Sequence, residues 1–215
     1  MNWCLSADAL QLCLLATQPR QVSGRPSMSM PFLKSHLTRT ICVSPNRLRK
    51  LGFTEDTSEG APLCRWQQGD VKLDVMPLDE KILGFSNRWY VSAMATAQAH
   101  ELEPDLRIRV VTAPYFCATK IEAFRGRGKG DYLSSHDLED LITVVDGRPE
   151  LPEELRAAPD DVRTYIAEVV GQMLETADFI DALPGYLLPD DASQSRIIIV
   201  LERLKEISST GSTPP

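Results

Sequence analysis

Asp74 stands in the segment Val71-Lys72-Leu73-Asp74-Val75, where apolar and polar residues alternate. Alternate side chains of a strand face opposite ways, so Val71, Leu73 and Val75 share one face and Lys72, Asp74 and Met76 the other. A carboxylate so placed is either an exposed strand residue beside Lys72 or an oxygen ligand offered to a divalent cation; Mg²⁺ takes one or two carboxylates together with substrate phosphates. Lys120, in Ala118-Thr119-Lys120-Ile121-Glu122, falls on the helix face of Phe116, Ala123 and Arg127, one step from an apolar stripe. Its ammonium either snorkels to solvent or, where that face lines a cleft, neutralises a nucleotide phosphate as phosphoryl transfer requires. Next come Arg125, Arg127 and Lys129, interleaved with Gly126, Gly128 and Gly130. This loop is a solvated helix connector or a contact to phosphate or RNA. It is not a P-loop, because no Gly-Lys-Ser/Thr follows a strand.

Asp137 belongs to Ser134-Ser135-His136-Asp137-Leu138-Glu139-Asp140-Leu141. Ser134 and Asp137 have the S-x-x-D spacing of a capping box, which alone would explain the acid as a partner for free amides at a helix start. Only three histidines occur, His36, His100 and His136, too few for a metal-dependent phosphohydrolase built on several. No Gly-x-Ser-x-Gly elbow is present, so no Ser-His-Asp triad can be placed. The five cysteines (Cys4, Cys13, Cys42, Cys64 and Cys117) are scattered and lack C-x-x-C spacing. That pattern argues against a disulfide framework and a zinc ribbon, and fits a reduced, cytoplasmic setting.

The elements that must position these residues are legible in part. Leu48 and Leu51 end a short helix at Gly52, where a left-handed cap is expected. The run from Pro62 to Pro77 reads as a β-hairpin around Gln68-Gly69-Asp70. A helix is expected near Trp89–Ala99, then a strand over 106–112. Pro114 opens a helix on which Cys117, Ile121 and Phe124 form an i, i+4, i+7 stripe. Ser134 starts the next, carrying Leu138, Leu141, Ile142 and Val145 and ending at Gly147. Further helices are expected at about 159–175, with Val162, Ile166, Val169, Val170 and Met173 inward, and at about 193–207. Strands first and helices later predict an α+β arrangement. The divisions read as an atypical segment 1–45, a mixed region 46–150, a helical part 151–207 and a disordered tail 208–215.

Charge separates the start from the rest. The chain of 215 residues has a formal net charge of −7, yet residues 1–50 hold one acid, Asp8, against seven bases. The remaining residues hold 29 acids against 16 bases, so a segment of about +6 precedes a body of about −13. An acidic body speaks against nucleic-acid binding through net charge, though a local basic loop can still bind phosphate. Residues 9–17 form an apolar run like a signal-peptide core, but Asp8 abuts it and no positive charge precedes it. No run of about 18 apolar residues exists, so no membrane span is expected.

Taken together, "LRKLGF", "LCRW..GDVKLDVMP", "LGFSNRWY", "IRVVTAPYFCATKIEAFRGRGKGDYLSSHDLEDLITVVDGRPEL" and "LPD.ASQSR" resemble bacterial nucleotidyltransferase-fold proteins, in the branch of abortive-infection toxins and minimal nucleotidyltransferases. The resemblance covers residues 46–207. It implies a nucleotidyltransferase-like mixed β-sheet flanked by helices. It also implies Mg²⁺-dependent transfer of a nucleotidyl group from a nucleoside triphosphate to RNA or a protein, and a cognate antitoxin as a partner. In that family an Asp-x-Asp pair and a third strand carboxylate hold the metal. Asp74 matches the third, Lys120 the phosphate-facing lysine and Asp137 a downstream acid; Arg127 and Lys129, from the basic loop, are the further residues expected to contact the nucleotide.

The Asp-x-Asp pair is missing. It belongs upstream of Asp74, where residues 25–44, "RPSMSMPFLKSHLTRTICVS", contain no acid at all. If Ser27 and Ser29 are both encoded TCG, then Ser27-Met28-Ser29-Met30-Pro31 reads TCG ATG TCG ATG CCN, and from the third base the same DNA reads GAT GTC GAT GCC. That spells Asp-Val-Asp-Ala, and the preceding codon would encode Ile, Val, Leu or Phe. A frame-shifted translation ending near residue 46 is therefore expected, with the metal site weak or absent and the transferase impaired. Any other serine codon at either position refutes this account. Three other readings stay open: a genuine basic N-terminal arm, a non-catalytic nucleotide- or RNA-binding module, and a non-functional product whose helices still fold.

Overall fold

The computed structural model describes residues 13–14, 45–61, 65–69, 71–74, 87–103, 106–126 and 130–211. The segment expected to be frame-shifted therefore lies, apart from a few residues, outside the described residues, as do 212–215 of the tail. The described chain is α+β and forms two compact units. Among the described residues, one holds those up to Thr112 except Asn87–Trp89, and the other holds Asn87–Trp89 and those from Ala113 onward.

In the first unit, helix α1 (Pro45–Lys50) leads into strand β2 (Thr54–Glu55), β1 being the short strand Cys13–Leu14. Gly52 has φ +84°, the left-handed conformation that costs a Cβ-free residue least. This lets the amides of Gly52 and Phe53 turn back to the carbonyls of Arg49 and Leu48, each at 3.0 Å, so the helix closes where the sequence places its cap. β2 pairs antiparallel with β3 (Arg65–Gln68), and β3 with β4 (Val71–Asp74), Trp66 lying opposite Leu73. Gly69, at φ +56°, supplies the positive φ of the tight turn between β3 and β4. Buried Trp66 is covered by the Arg49 guanidinium, 5.3 Å from its ring, and that guanidinium also bonds Glu55 at 2.6 Å.

A second sheet orders β1, β6 (Leu106–Val110) and β5 (Gln98–Glu103), with β5 antiparallel and β1 parallel to β6. Here the structure departs from the sequence reading. The helix expected near Trp89–Ala99 is α2 (Tyr90–Ala95), and residues 98–103 are strand. Arg109 of β6 ends the helix: its guanidinium donates to the carbonyls of Ala97, at 2.8 and 3.1 Å, and Ala95, at 3.2 Å. Pairing with β6 then overrides the helical tendency of an Ala-Gln-Ala run.

The second unit is helical. α3 (Ala113–Gly126) runs through its core, with the expected Cys117, Ile121 and Phe124 stripe buried and Tyr115, Phe116 and Ala118 buried as well. α4 (His136–Gly147), α5 (Leu151–Arg156) and α6 (Asp160–Leu174) pack against α3, and α9 (Ile197–Ser209) packs on those three; α7 (Ala177–Ala182), a 3₁₀ turn (Leu183–Tyr186) and α8 (Asp191–Gln194) lie between α6 and α9. The inward set expected for α6 is buried in full. The last helix starts at Ile197 rather than 193, because Asp190 caps a separate turn by accepting from the Ser193 amide at 2.9 Å. It continues to Ser209, into the stretch read as a tail.

Arginines close the far end of α4. Arg196 Nε bonds the Asp146 carboxylate at 2.8 Å and its Nη2 the Asp146 carbonyl at 3.0 Å, while Arg203 donates to the carbonyls of Val145, at 2.9 Å, and Asp146. Terminal carbonyls that lack intrahelical partners are thereby satisfied. Among the described residues, no helix is long and apolar enough to cross a membrane.

Candidate functional site

α4 begins one residue later than the capping-box reading requires. Ser135 is the N-cap and accepts from the Leu138 amide at 3.3 Å. Ser134 is drawn instead to Asp131, whose carboxylate takes the Ser134 hydroxyl at 2.6 Å and the Leu133 amide at 2.9 Å. Asp137 is thus released from a box with Ser134, and its place in the first turn is still favoured by the helix dipole.

Asp137 meets Lys120. The ammonium on α3 lies 3.3 Å from Asp137 Oδ1 and in closer contact with Asp140 Oδ2. Two facts of helix geometry build this cluster: Phe116 and Lys120 are one turn apart on α3, and Asp137 and Asp140 are one turn apart on α4. The Phe116 ring lies 5.7 Å from the ammonium, at the outer limit of a cation–π contact. Side-chain exposure separates the acids. Asp137 is 9% exposed, Lys120 17% and Asp140 47%.

Within the second unit lies another cluster, which the sequence reading did not single out. Tyr165 donates to Glu122 Oε2 at 2.7 Å, and Arg88 Nε lies 3.3 Å from the same oxygen. The Arg88 guanidinium covers two rings, 4.3 Å from the Tyr165 centroid and 4.9 Å from that of Trp89. Asn87 holds this segment to α3, donating to the Thr119 carbonyl at 2.8 Å while accepting from the Trp89 amide at 3.1 Å. Burial, followed by the bond to Glu122, pushes the Tyr165 phenol up to about 12. Every side-chain polar atom of the cluster except the Trp89 indole N–H is thus engaged or solvated, so the cluster reads as a clamp. Nothing in "SNRWY" marked Glu122 and Tyr165 as its partners, since they come from distant stretches of chain.

The remaining expected residues fall elsewhere. Asp74 ends β4 opposite Arg65 in register, in the first unit, and its side chain lies outside the described residues. Arg127 and Lys129 also lie outside them. The structure therefore brings together Lys120 and Asp137, adds Asp140, and leaves Asp74 in the other unit. Cys117 is no nucleophile: burial pushes its thiol up to about 12.

A magnesium site needs several free oxygens around one point. Among the described residues no group of three or more His, Cys, Asp or Glu could hold a metal ion, and Asp137 and Asp140 are turned to an ammonium instead. The described residues do not fit Mg²⁺. What the trio does is hold a lysine beside the start of α4. Compared with protein-family models, with curated proteins and with solved structures, the chain gives no match.

Proposed function

We propose that the chain is a nucleotidyltransferase-like protein whose parent reaction moves a nucleotidyl group from a nucleoside triphosphate to RNA or a protein, and that this chain is impaired in it. The observation that carries the reading is the pairing of Lys120 with Asp137 at 3.3 Å. These residues stand 17 positions apart, and the sequence resemblance assigns both to one site. Nothing in helical periodicity required them to meet. Lys120 is the group that would face phosphate, Asp137 the acid that fixes its position, and Arg127, Lys129 and Asp74 complete the assignment. The Asp-x-Asp pair that the reaction needs is absent from the sequence, so turnover is expected to be negligible while anion binding survives.

A second reading, a non-catalytic nucleotide- or RNA-binding module, is favoured by the same excess of a retained lysine over retained metal ligands. Calorimetry and a transfer assay with labelled nucleoside triphosphates, in the presence of Mg²⁺, separate the two. Binding with no transfer in a version translated from the other frame supports the module. Transfer by that version, and none by the present chain, supports the impaired enzyme. Equal Mg-nucleotide affinity in both versions refutes the impairment.

A further inference from the structure

Two carboxylates contact the Lys120 ammonium. Asp137, nearly buried, cannot leave without stranding charge away from water, a loss that removal of a buried partner makes large. Asp140 is different. Its side chain is 47% exposed, and an exposed ion pair is weak because water screens it and both side chains lose freedom in forming it. A carboxylate in contact with the Lys120 ammonium also competes with any anion for it. The lysine stem is flexible and the Asp140 carboxylate has solvent to move into, so this one contact can open with the rest of the cluster in place.

We propose that Asp140 is a displaceable counter-ion that closes Lys120 to anions, and that a triphosphate binds by taking its place while Asp137 holds the lysine in position. The inference rests on Lys120 being the phosphate-facing residue of the proposed function, and it adds a self-inhibiting contact to that site. In the closed state Asp140 holds the ammonium; in the open state a phosphate oxygen does, and Asp140 turns to water. No bond is made or broken.

The test is titration calorimetry of the full chain with inorganic tripolyphosphate, without metal and at low ionic strength, then with a nucleoside triphosphate. D140N keeps the shape of the side chain and removes its charge; it is expected to bind tripolyphosphate about three- to tenfold tighter than the unaltered chain. D140E, which restores the charge, is expected to return affinity to the starting level. The gain must vanish when K120M is added to D140N. Unchanged or weaker binding by D140N, a gain that survives K120M, or no binding by any variant overturns the proposal. A gain with tripolyphosphate but none with the nucleotide upholds the counter-ion and instead removes nucleotide transfer as the site's function.

Discussion

The two units are built on different principles. In the first, the described residues form two three-stranded sheets and two short helices, with Leu48, Trp66, Ala93, Ala97 and Val111 buried. In the second, helices follow one another with little between, and all but the short α8 contribute inward residues, from Phe124 and Leu138 to Ile166, Phe179 and Leu204. Long-range strand pairing must bring distant segments together before it gains anything, whereas a helix forms from its neighbours and needs only one apolar face to dock. The contrast matters for function. An error confined to the first 45 or so residues would spare the helices and the Lys120 cluster, yet would remove any acids encoded there. A chain that keeps the Lys120 cluster and lacks an Asp-x-Asp pair is the expected result.

The largest effect should come from the helical core. Phe179 is fully buried, and Phe179→Ala should cost about 3–5 kcal/mol in urea unfolding, against about 0.5 kcal/mol or less for Leu51→Ala in the first unit, where Leu51 is half exposed. Similar losses at both sites would erase the contrast. Next is Gly211, where an added Cβ would lie 2.9 Å from the Ala167 methyl. Gly211→Ala should cost about 1–3 kcal/mol by the same measurement, and a neutral result would mean that the last helix packs loosely. In the first unit, Gly52→Ala should lose about 1 kcal/mol through its positive φ, read as a lower melting temperature.

The smallest effect is alkaline. The Tyr165 phenol is raised in the folded chain to about 12 from an ordinary 10, so on raising pH the unfolded chain loses this proton first. Its contribution is complete below pH 10 and is lost as pH climbs towards 12. The Cys117 thiol, raised to about 12 from 9, acts in the same direction from pH 9 upward. Melting temperature should therefore fall with pH above 9, and Tyr165→Phe should flatten the part above 10. A slope unaltered by Tyr165→Phe would place the sensitivity outside the aromatic clamp.

Much of the second unit was written in local periodicity. The α3 stripe of Cys117, Ile121 and Phe124 and the α6 set from Val162 to Met173 needed only helical spacing to be found, and Gly52 and Gly69 needed only the demand for positive φ. What escaped depended on distant partners. Residues 98–103 became strand because β6 was there to pair with them, and α2 stopped where Arg109 reached its carbonyls. Ser134 lost the cap to Ser135 because Asp131 competed for its hydroxyl. Lys120 and Asp137 were legible as types of residue, but their meeting was not. Asp140 was passed over because an acid on a polar helix face looks solvated until a lysine from another helix is placed beside it.

The central claim is that this chain retains an anion-facing lysine but lacks the carboxylates that would make it a transferase. The most direct measurement is the affinity for a nucleoside triphosphate with Mg²⁺, by calorimetry, of the chain as it stands and of the version translated from the other frame up to residue 46. The account predicts at least about tenfold tighter binding by the second, with metal dependence confined to it. Equal affinities and equal metal dependence in the two would contradict it.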